Sequence, residues 1–472
     1  MLYVLRPLLL TCLSGLTLFG PLAFAQTRTP QPRAAKPPVA ASAPEPVASQ
    51  GRCNEEDAGL SRYGRDASQL VTDSGDPRAS LQVLIDRTLE RSKALGAVRL
   101  LADAARSDLE ETRALRLPSA VLTLSVMGAR DEVGSLRAEN GGRYTGGISA
   151  SMPVWDAGRI TKLTEWRKEL AEVAVQGQRS AEEQLALNTV TLALDRSRYV
   201  LQAQVYGQYV RKMSCLVEAL EIITKADRGR ASELVQAQKS LQQADLSLEQ
   251  TMSALRQTEV RMKRLVGEPL PPSIGMTPTL SVLPDLDQMQ SDILLGADVA
   301  QAEAQARSQR SLAESVIAGQ KPSVALTGNV VRQAGMAKAT DIQGGVTVTI
   351  PLLQPGAEAQ ASAAVQRYRA TVLQRDEAIE AKRYRLLEMH EVGTSTLDRA
   401  RRIVEILRNS DRVRASTLQQ WQQLGRRSLF DVMAAEGDYY SMRVAHVNAM
   451  FDAQQIVALI WSMGRGVATP LR

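Results

Sequence analysis

The chain has 472 residues, with 57 Lys and Arg against 51 Asp and Glu for a net charge of +6, and 44% hydrophobic side chains. Aromatics are scarce (4 Trp, 10 Tyr, 4 Phe) and there are only 2 histidines, a mix that favours long helices over a compact enzyme core. The His and Cys content argues against a zinc site of repeated ligand spacing, and no basic block interleaved with aromatics marks a nucleic-acid surface. No metal, cofactor or nucleic-acid partner is therefore expected.

Residues 1–25 combine Arg6, a largely apolar run to Phe19 and the small residues Ala23 and Ala25. This is the pattern of a cleavable secretory signal, with the mature chain starting near Gln26. Cys12 follows Thr11 and lacks the small residue that a lipoprotein signal places before its cysteine, so no lipid anchor is expected. Residues 26–79 read as a Pro- and Ala-rich leader too poor in apolar side chains to fold on its own. Beyond residue 25 there is no run of about 18 apolar residues, so any contact with a membrane must be made by strands. Two cysteines remain, Cys53 and Cys215, and an oxidising compartment permits one disulfide between them; two separate thiols are the alternative.

A tandem repeat organises the rest. Pro118-Ser-Ala-Val-Leu-Thr-Leu-Ser-Val126 returns 204 positions later as Pro322-Ser-Val-Ala-Leu-Thr-Gly-Asn-Val330. Gly146-Gly-Ile-Ser-Ala-Ser-Met-Pro153 returns after 198 positions as Gly344-Gly-Val-Thr-Val-Thr-Ile-Pro351, and Gly158 matches Gly356 at the same offset. A third echo pairs Gly229-Arg-Ala-Ser232 with Gly425-Arg-Arg-Ser428. These matches divide the chain into a first repeat at 80–266, a Pro-rich linker at 267–284, a second repeat at 285–466 and a tail at 467–472.

Within each repeat the hydrophobic period changes twice. Residues 80–117 read as helix, stopped by Pro118. Strands are predicted at about 119–128 and 143–154, where Ala120, Leu122, Leu124 and Val126 and then Tyr144, Ile148, Ala150, Met152 and Val154 alternate with Ser and Thr. The second repeat predicts strands at about 323–332 and 342–351 on the same alternation. Four strands with one apolar and one small polar face, in two hairpins, would expose their edges in a soluble protein; they suit a membrane barrel closed by several protomers. Between Gly158 and Gly229, and between Gly356 and Gly425, no proline occurs, so each stretch predicts a helix of roughly 100 Å at 1.5 Å per residue. A shorter helix follows from about 232 to 266, with Leu234, Leu241, Leu248, Leu255 and Met262 at a coiled-coil spacing of seven. By the same rise, Cys215 lies within reach of a leader running back from residue 80 to Cys53.

Strand, hairpin, strand, Met152-Pro-Val-Trp-Asp-Ala-Gly-Arg159, long helix, Gly-x-x-Ser turn and shorter helix, all duplicated, resemble the TolC-like outer-membrane channel family over roughly residues 80–466. The resemblance implies a mainly α fold with a β-barrel part: a homotrimer whose strands form a 12-stranded outer-membrane barrel, continued by a periplasmic α-helical barrel. It implies strand-to-helix junctions at Pro153, Gly158, Pro351 and Gly356. It also implies a periplasmic gate built from a ring of Asp431 side chains and a latch network of Arg427, Glu233 and Ser232; a second ring aspartate of the family falls on Ala434. Such channels have no chemistry of their own. They work with a periplasmic adaptor and an inner-membrane transporter, here expected to be an ABC exporter, and contact outer-membrane lipid.

The expected function is an exit duct, with the missing lipoprotein cysteine pointing to type I protein secretion; small-molecule or multidrug efflux is the alternative. A periplasmic adaptor is more remote, since it needs a single helical hairpin and a lipoyl-like β domain. A secreted enzyme would need a catalytic constellation, and none is visible in the sequence.

Overall fold

The computed structural model describes residues 76–131, 139–273, 278–335, 338–424 and 427–471. The expected signal, almost all of the expected leader, and Cys53 lie outside the described residues. The first helix starts at the edge of that leader: α1 (Pro77–Arg91) has Pro77 in its first turn, and the Asp76 carboxylate accepts from the Arg78 N–H at 3.0 Å. A proline there lacks an N–H that would be unsatisfied anyway. The single helix expected over 80–117 is two. Ser92 breaks it by capping α2 (Lys93–Ala114), its hydroxyl accepting from the Leu95 N–H at 3.2 Å.

Next come β1 (Ser119–Asp131), β2 (Glu139–Trp155), the long α3 (Arg159–Ala226) and α4 (Ala231–Val266). The short α5 (Leu286–Asp292) leads into the second repeat: α6 (Ala297–Ala318), β3 (Ser323–Gly335), β4 (Ala339–Thr349), α7 (Ala357–Leu424) and α8 (Leu429–Met463). The duplication is carried into lengths. α2 and α6 have 22 residues each, α3 and α7 have 68, and α4 and α8 have 36 and 35. At 1.5 Å per residue α3 and α7 are each about 100 Å long.

The two hairpins, remote in sequence, form one antiparallel sheet in the order β1-β2-β3-β4. Its register places Leu122 beside Ile148 and Val126 beside Tyr144, then Ile148 beside Val330 and Met152 beside Leu326, then Val330 beside Ile342 and Leu326 beside Val346. Because side chains alternate with period two, this register makes one continuous apolar face across all four strands. Its members are open: Leu124 is 75% exposed and Ile342 73%. The opposite face carries Thr123, Ser125, Thr145, Ser149, Ser151, Thr327, Asn329 and Thr347, with Val121, Met127 and Val331 the larger apolar exceptions. The Thr327 and Thr347 hydroxyls hydrogen-bond across it at 3.0 Å. Within the described chain β1 and β4 each have one neighbour, so both sheet edges are unpaired.

All four strand-to-helix junctions lie at one end of the sheet. In the first repeat Gly158 takes φ +87° and Ala157 φ 52°, and the Asp156 carboxylate accepts from the N–H of Gly158 at 3.1 Å and of Ile160 at 2.6 Å. In the second, Gly356 takes φ +90° and the Ala357 N–H reaches the Gln354 carbonyl at 3.1 Å. Left-handed φ at both glycines lets the chain turn from strand into helix without a Cβ clash. Pro153 is paired opposite Ala325 just before a register shift, after which the β2–β3 ladder closes with Trp155 opposite Val324; Pro351 follows the end of β4.

Below the sheet, α3 packs against α2 and α4 and against α6 and α8, while α7 packs against α6 and α8. No helix among the described residues is long and apolar enough to cross a membrane. Midway down, the segment expected to be the inter-repeat linker contributes to a core. Leu280 is fully buried with Leu81, Leu84, Val190, Leu194, Phe451 and Val457, and the expected tail contributes Val467 and Leu471. Met289 and Ile293 form an adjoining cluster with Leu386 and Ile460. Polar clamps hold this belt: Arg465 pairs with buried Asp292 at 2.9 Å, Gln82 donates to the Leu471 carbonyl at 2.7 Å, and Glu183 accepts from the Val467 N–H at 2.5 Å. Burial pushes the Glu183 carboxyl above the usual range, an effect the Val467 N–H partly offsets. The waist therefore has a conventional hydrophobic core, which the scarcity of aromatics in the sequence had argued against.

Candidate gate at the helical tip

The end of the bundle farthest from the sheet holds two helix turns. In the first repeat α3 stops at Ala226, the Asp227 carboxylate accepts from the Gly229 N–H at 2.9 Å, and α4 begins at Ala231. In the second repeat Ser428 caps α8 by accepting from the Phe430 N–H at 3.1 Å, a role that Ser fills well because its hydroxyl satisfies an orphan donor. Below the waist, Ala237, Leu216, Val217 and Leu220 pack with Leu429, Val432 and Met433, so the two turns share one apolar cluster.

Asp431 lies in the first turn of α8, where an acid is favoured by the helix dipole. Its carboxylate is half exposed, 3.7 Å from the Arg427 guanidinium, which also donates to the Gln420 side chain at 3.2 Å. Within one protomer Arg427 is therefore engaged by Asp431 and Gln420 and not by Glu233. Glu233 sits in the first turn of α4, with one carboxylate oxygen buried and without a hydrogen-bond partner; Ser232 precedes it on an exposed position. The open stripe of α8 runs through Asp431, Ala434 and Asp438. Asp438, seven residues beyond Asp431 and accepting from the Ser410 hydroxyl at 2.8 Å, supplies an acid on the stripe where Ala434 does not.

The opposite stripe of α8 holds a feature the sequence reading missed. Glu436 is 0% exposed, facing inward with Val432, Met433, Tyr440 and Val444. Its carboxylate lies 3.8 Å from Lys212 of α3 and 3.7 Å from Arg414 of α7. Arg414 is itself fixed by Asp411 at 3.0 Å and lies over the Tyr439 ring at 4.6 Å. Just above, the Tyr209 and Tyr440 rings stack at 4.9 Å, and Arg443 lies over Tyr439 and Tyr440. Burial pushes the Tyr440 hydroxyl up to about 12, and the Glu436 charge adds to the effect; Tyr209 is raised by the same two causes in the same order. The spacing of Val432, Glu436, Tyr440 and Val444 at four-residue steps was the available signal that this acid faces the bundle.

Residues 84–268 match the profile of a family described as outer membrane efflux protein. Among solved structures, the MtrE outer membrane channel of Neisseria gonorrhoeae in its open state superposes with a TM-score of 0.71 at 17% identity, over 84% of this chain and 90% of that one. The outer membrane protein VceC of Vibrio cholerae gives 0.70 at 17% identity, over 82% and 96%. The CmeC outer membrane channel of Campylobacter jejuni gives 0.72 at 16% identity, over 82% and 85%. No curated protein sequence matches the chain. The chain has the fold of the TolC-like outer-membrane channels. Both comparisons are with proteins of the outer membrane.

In this fold Arg427 and Asp431, expected for a gate, are adjacent, and Ser232 and Glu233 stand on the neighbouring turn. Cys215 lies low on α3 and is disulfide-bonded; the pairing with Cys53 falls outside the described residues. Among the described residues no three His, Cys, Asp or Glu side chains converge in a way that could hold a metal ion.

Proposed function

We propose that the chain is one protomer of a homotrimeric exit duct in a tripartite export system, carrying substrate from an inner-membrane transporter and a periplasmic adaptor to the exterior. The observation that carries this reading is a pair of open edges in one protomer. The sheet ends in unpaired β1 and β4, and the bundle ends in α2 and α4 on one flank and α7 on the other. Those helices expose Leu100, Leu101, Val235 and Val260, and Leu373, Tyr384 and Ile406. Closing sheet and bundle on two further copies pairs both edges at once, giving a barrel of twelve strands with an even strand count and no free edge. The apolar sheet face then meets lipid and the Ser- and Thr-rich face lines the pore.

Asp431 forms the constriction in this reading, as three carboxylates about a three-fold axis, which favours cations. Arg427, with Ser232 and Glu233 across the subunit contacts, latches it. The duct itself catalyses nothing. Type I protein secretion through an ABC exporter is the substrate reading drawn from the absence of a lipoprotein cysteine. Small-molecule efflux is favoured by the description of the matching family. A deletion strain decides between them: loss of one or a few large proteins from the culture supernatant with unchanged drug sensitivity supports secretion. Hypersensitivity to drugs with an unchanged secretome supports efflux. If neither changes, the export role is wrong.

A further inference from the structure

Glu436 is a whole carboxylate taken out of water between an apolar layer and an aromatic one. Below it lie Leu429, Val432 and Met433 with Leu216 and Leu220; above it lie Tyr209, Tyr440 and Val444. A charge in such a place is costly unless paired, and its pairing cations come from two different helices, Lys212 on α3 and Arg414 on α7. Apolar contacts tolerate a helix sliding or rotating by a fraction of a turn, whereas a buried ion fixes register, because any such shift separates it from its counter-charges. Glu436 stands five residues above Asp431, about 7.5 Å along α8.

We propose that Glu436 is a positioning residue for the gate, tying α8 to α3 so that the tip bearing Arg427 and Asp431 is held in its closed arrangement. This rests on reading the tip as the gate. The two cations do different work. Arg414 belongs to α7, which directly precedes α8 in the chain; Asp411 of the same helix fixes its side chain, and its contacts with Glu436 and Tyr439 of α8 keep α7 and α8 together as a pair. Lys212 belongs to the first repeat, and its contact with Glu436 is the charged link between α3 and that pair that lies nearest Asp431; Arg198 of α3 and Asp452 of α8 pair at 2.8 Å higher up. Movement of α7 and α8 as a unit away from α3 breaks the Lys212 contact and leaves the Arg414 contact intact.

The test is single-channel conductance of the full-length protein in planar bilayers, with thermal unfolding measured alongside. Glu436→Gln and Lys212→Gln are expected to raise the resting conductance several-fold, and Arg414→Gln to raise it less. A Glu436→Gln channel with lowered thermal stability and unchanged conductance overturns the proposal, since the carboxylate then serves only the fold. Should Glu436→Gln fail to assemble, Lys212→Gln, which leaves Glu436 its Arg414 partner, is judged by the same criterion. Arg427→Ala and Asp431→Ala separate the two readings. If they leave conductance unchanged while Glu436→Gln raises it, the gate lies elsewhere and the tie stands. If they raise it while Glu436→Gln does not, the tie is wrong and the gate stands.

Discussion

α3 and α7 are two copies of one helix, each of 68 residues and each entered through a left-handed glycine, yet they live in different surroundings. Position by position, at the repeat offset of 198, Ala186 of α3 corresponds to Tyr384 of α7, Val190 to Glu388 and Leu194 to Val392. The α3 members are all nearly inaccessible, whereas Tyr384 is 63% and Val392 40% exposed. Duplication kept the length and the junction, because these fix the scaffold. The side chains diverged, because α3 is enclosed by five helices (α1, α2, α4, α6 and α8) and α7 by three, one of them the short α5. α7 therefore keeps an open flank, the one that the proposed trimer would cover.

The strongest way to break this comparison is to truncate equivalent positions. Leu194→Ala should cost about 2–5 kcal/mol, as expected for a buried leucine leaving a cavity, whereas Val392→Ala should cost under about 1 kcal/mol. Denaturant unfolding of the purified variants measures both, and equal losses would mean that the two helices are equally embedded. A smaller contrast lies at the junctions. Asp156→Ala removes an acceptor from two backbone N–H groups at the head of α3 and should cost about 1 kcal/mol. Gln354→Ala, at the matching site, removes no such bond, so its unfolding midpoint should stay at the wild-type value. The smallest effect is expected at Glu183, whose counterpart in α7 is Ala381. Its folded pKa is raised by burial, so the stability it contributes is complete below the unfolded value of 4.5 and is lost as pH rises through the folded one. Glu183→Gln should therefore melt higher than wild type at pH 7, by on the order of 1 °C, with the gap closing as the pH approaches 4.5. A gap independent of pH would show that the charge is not what matters there.

The duplication, the four strands and the two long helices were legible in the sequence because each is written in short-range terms. Strict alternation from Ala120 to Val126, glycine at 158 and 356, and the absence of proline over some 70 residues need no knowledge of neighbours. The waist was not legible. Prolines at 269, 271, 272 and 278 look like a linker, and nothing local tells Leu280 that it will sit against Leu81, Val190 and Phe451. Ser92 ended a helix without proline or glycine, by capping alone, and so passed unnoticed inside a helix-forming stretch. At the tip, motif spacing picked out Arg427, Asp431 and Glu233, but the partner of Arg427 is Asp431, on its own helix turn, and not Glu233. Glu436 was passed over because an acid on a helix is usually solvated, and only the positions of α3 and α7 make it a core residue.

The pairing of β2 with β3 joins two strands separated by residues 156–322. That intervening stretch contains α3, α4, the waist segments and α6, so the two hairpins become neighbours only when α3 and α6 lie side by side and bring Trp155 and Ser323 to the same level. Each hairpin can form early, since its partners are close along the chain, but the four-stranded sheet carries a high contact order and a large closure entropy. Assembly is thereby ordered from the helices toward the sheet: the helical bundle acts as the template on which the apolar strands meet, and the chain does not present its complete apolar sheet face until the bundle is built.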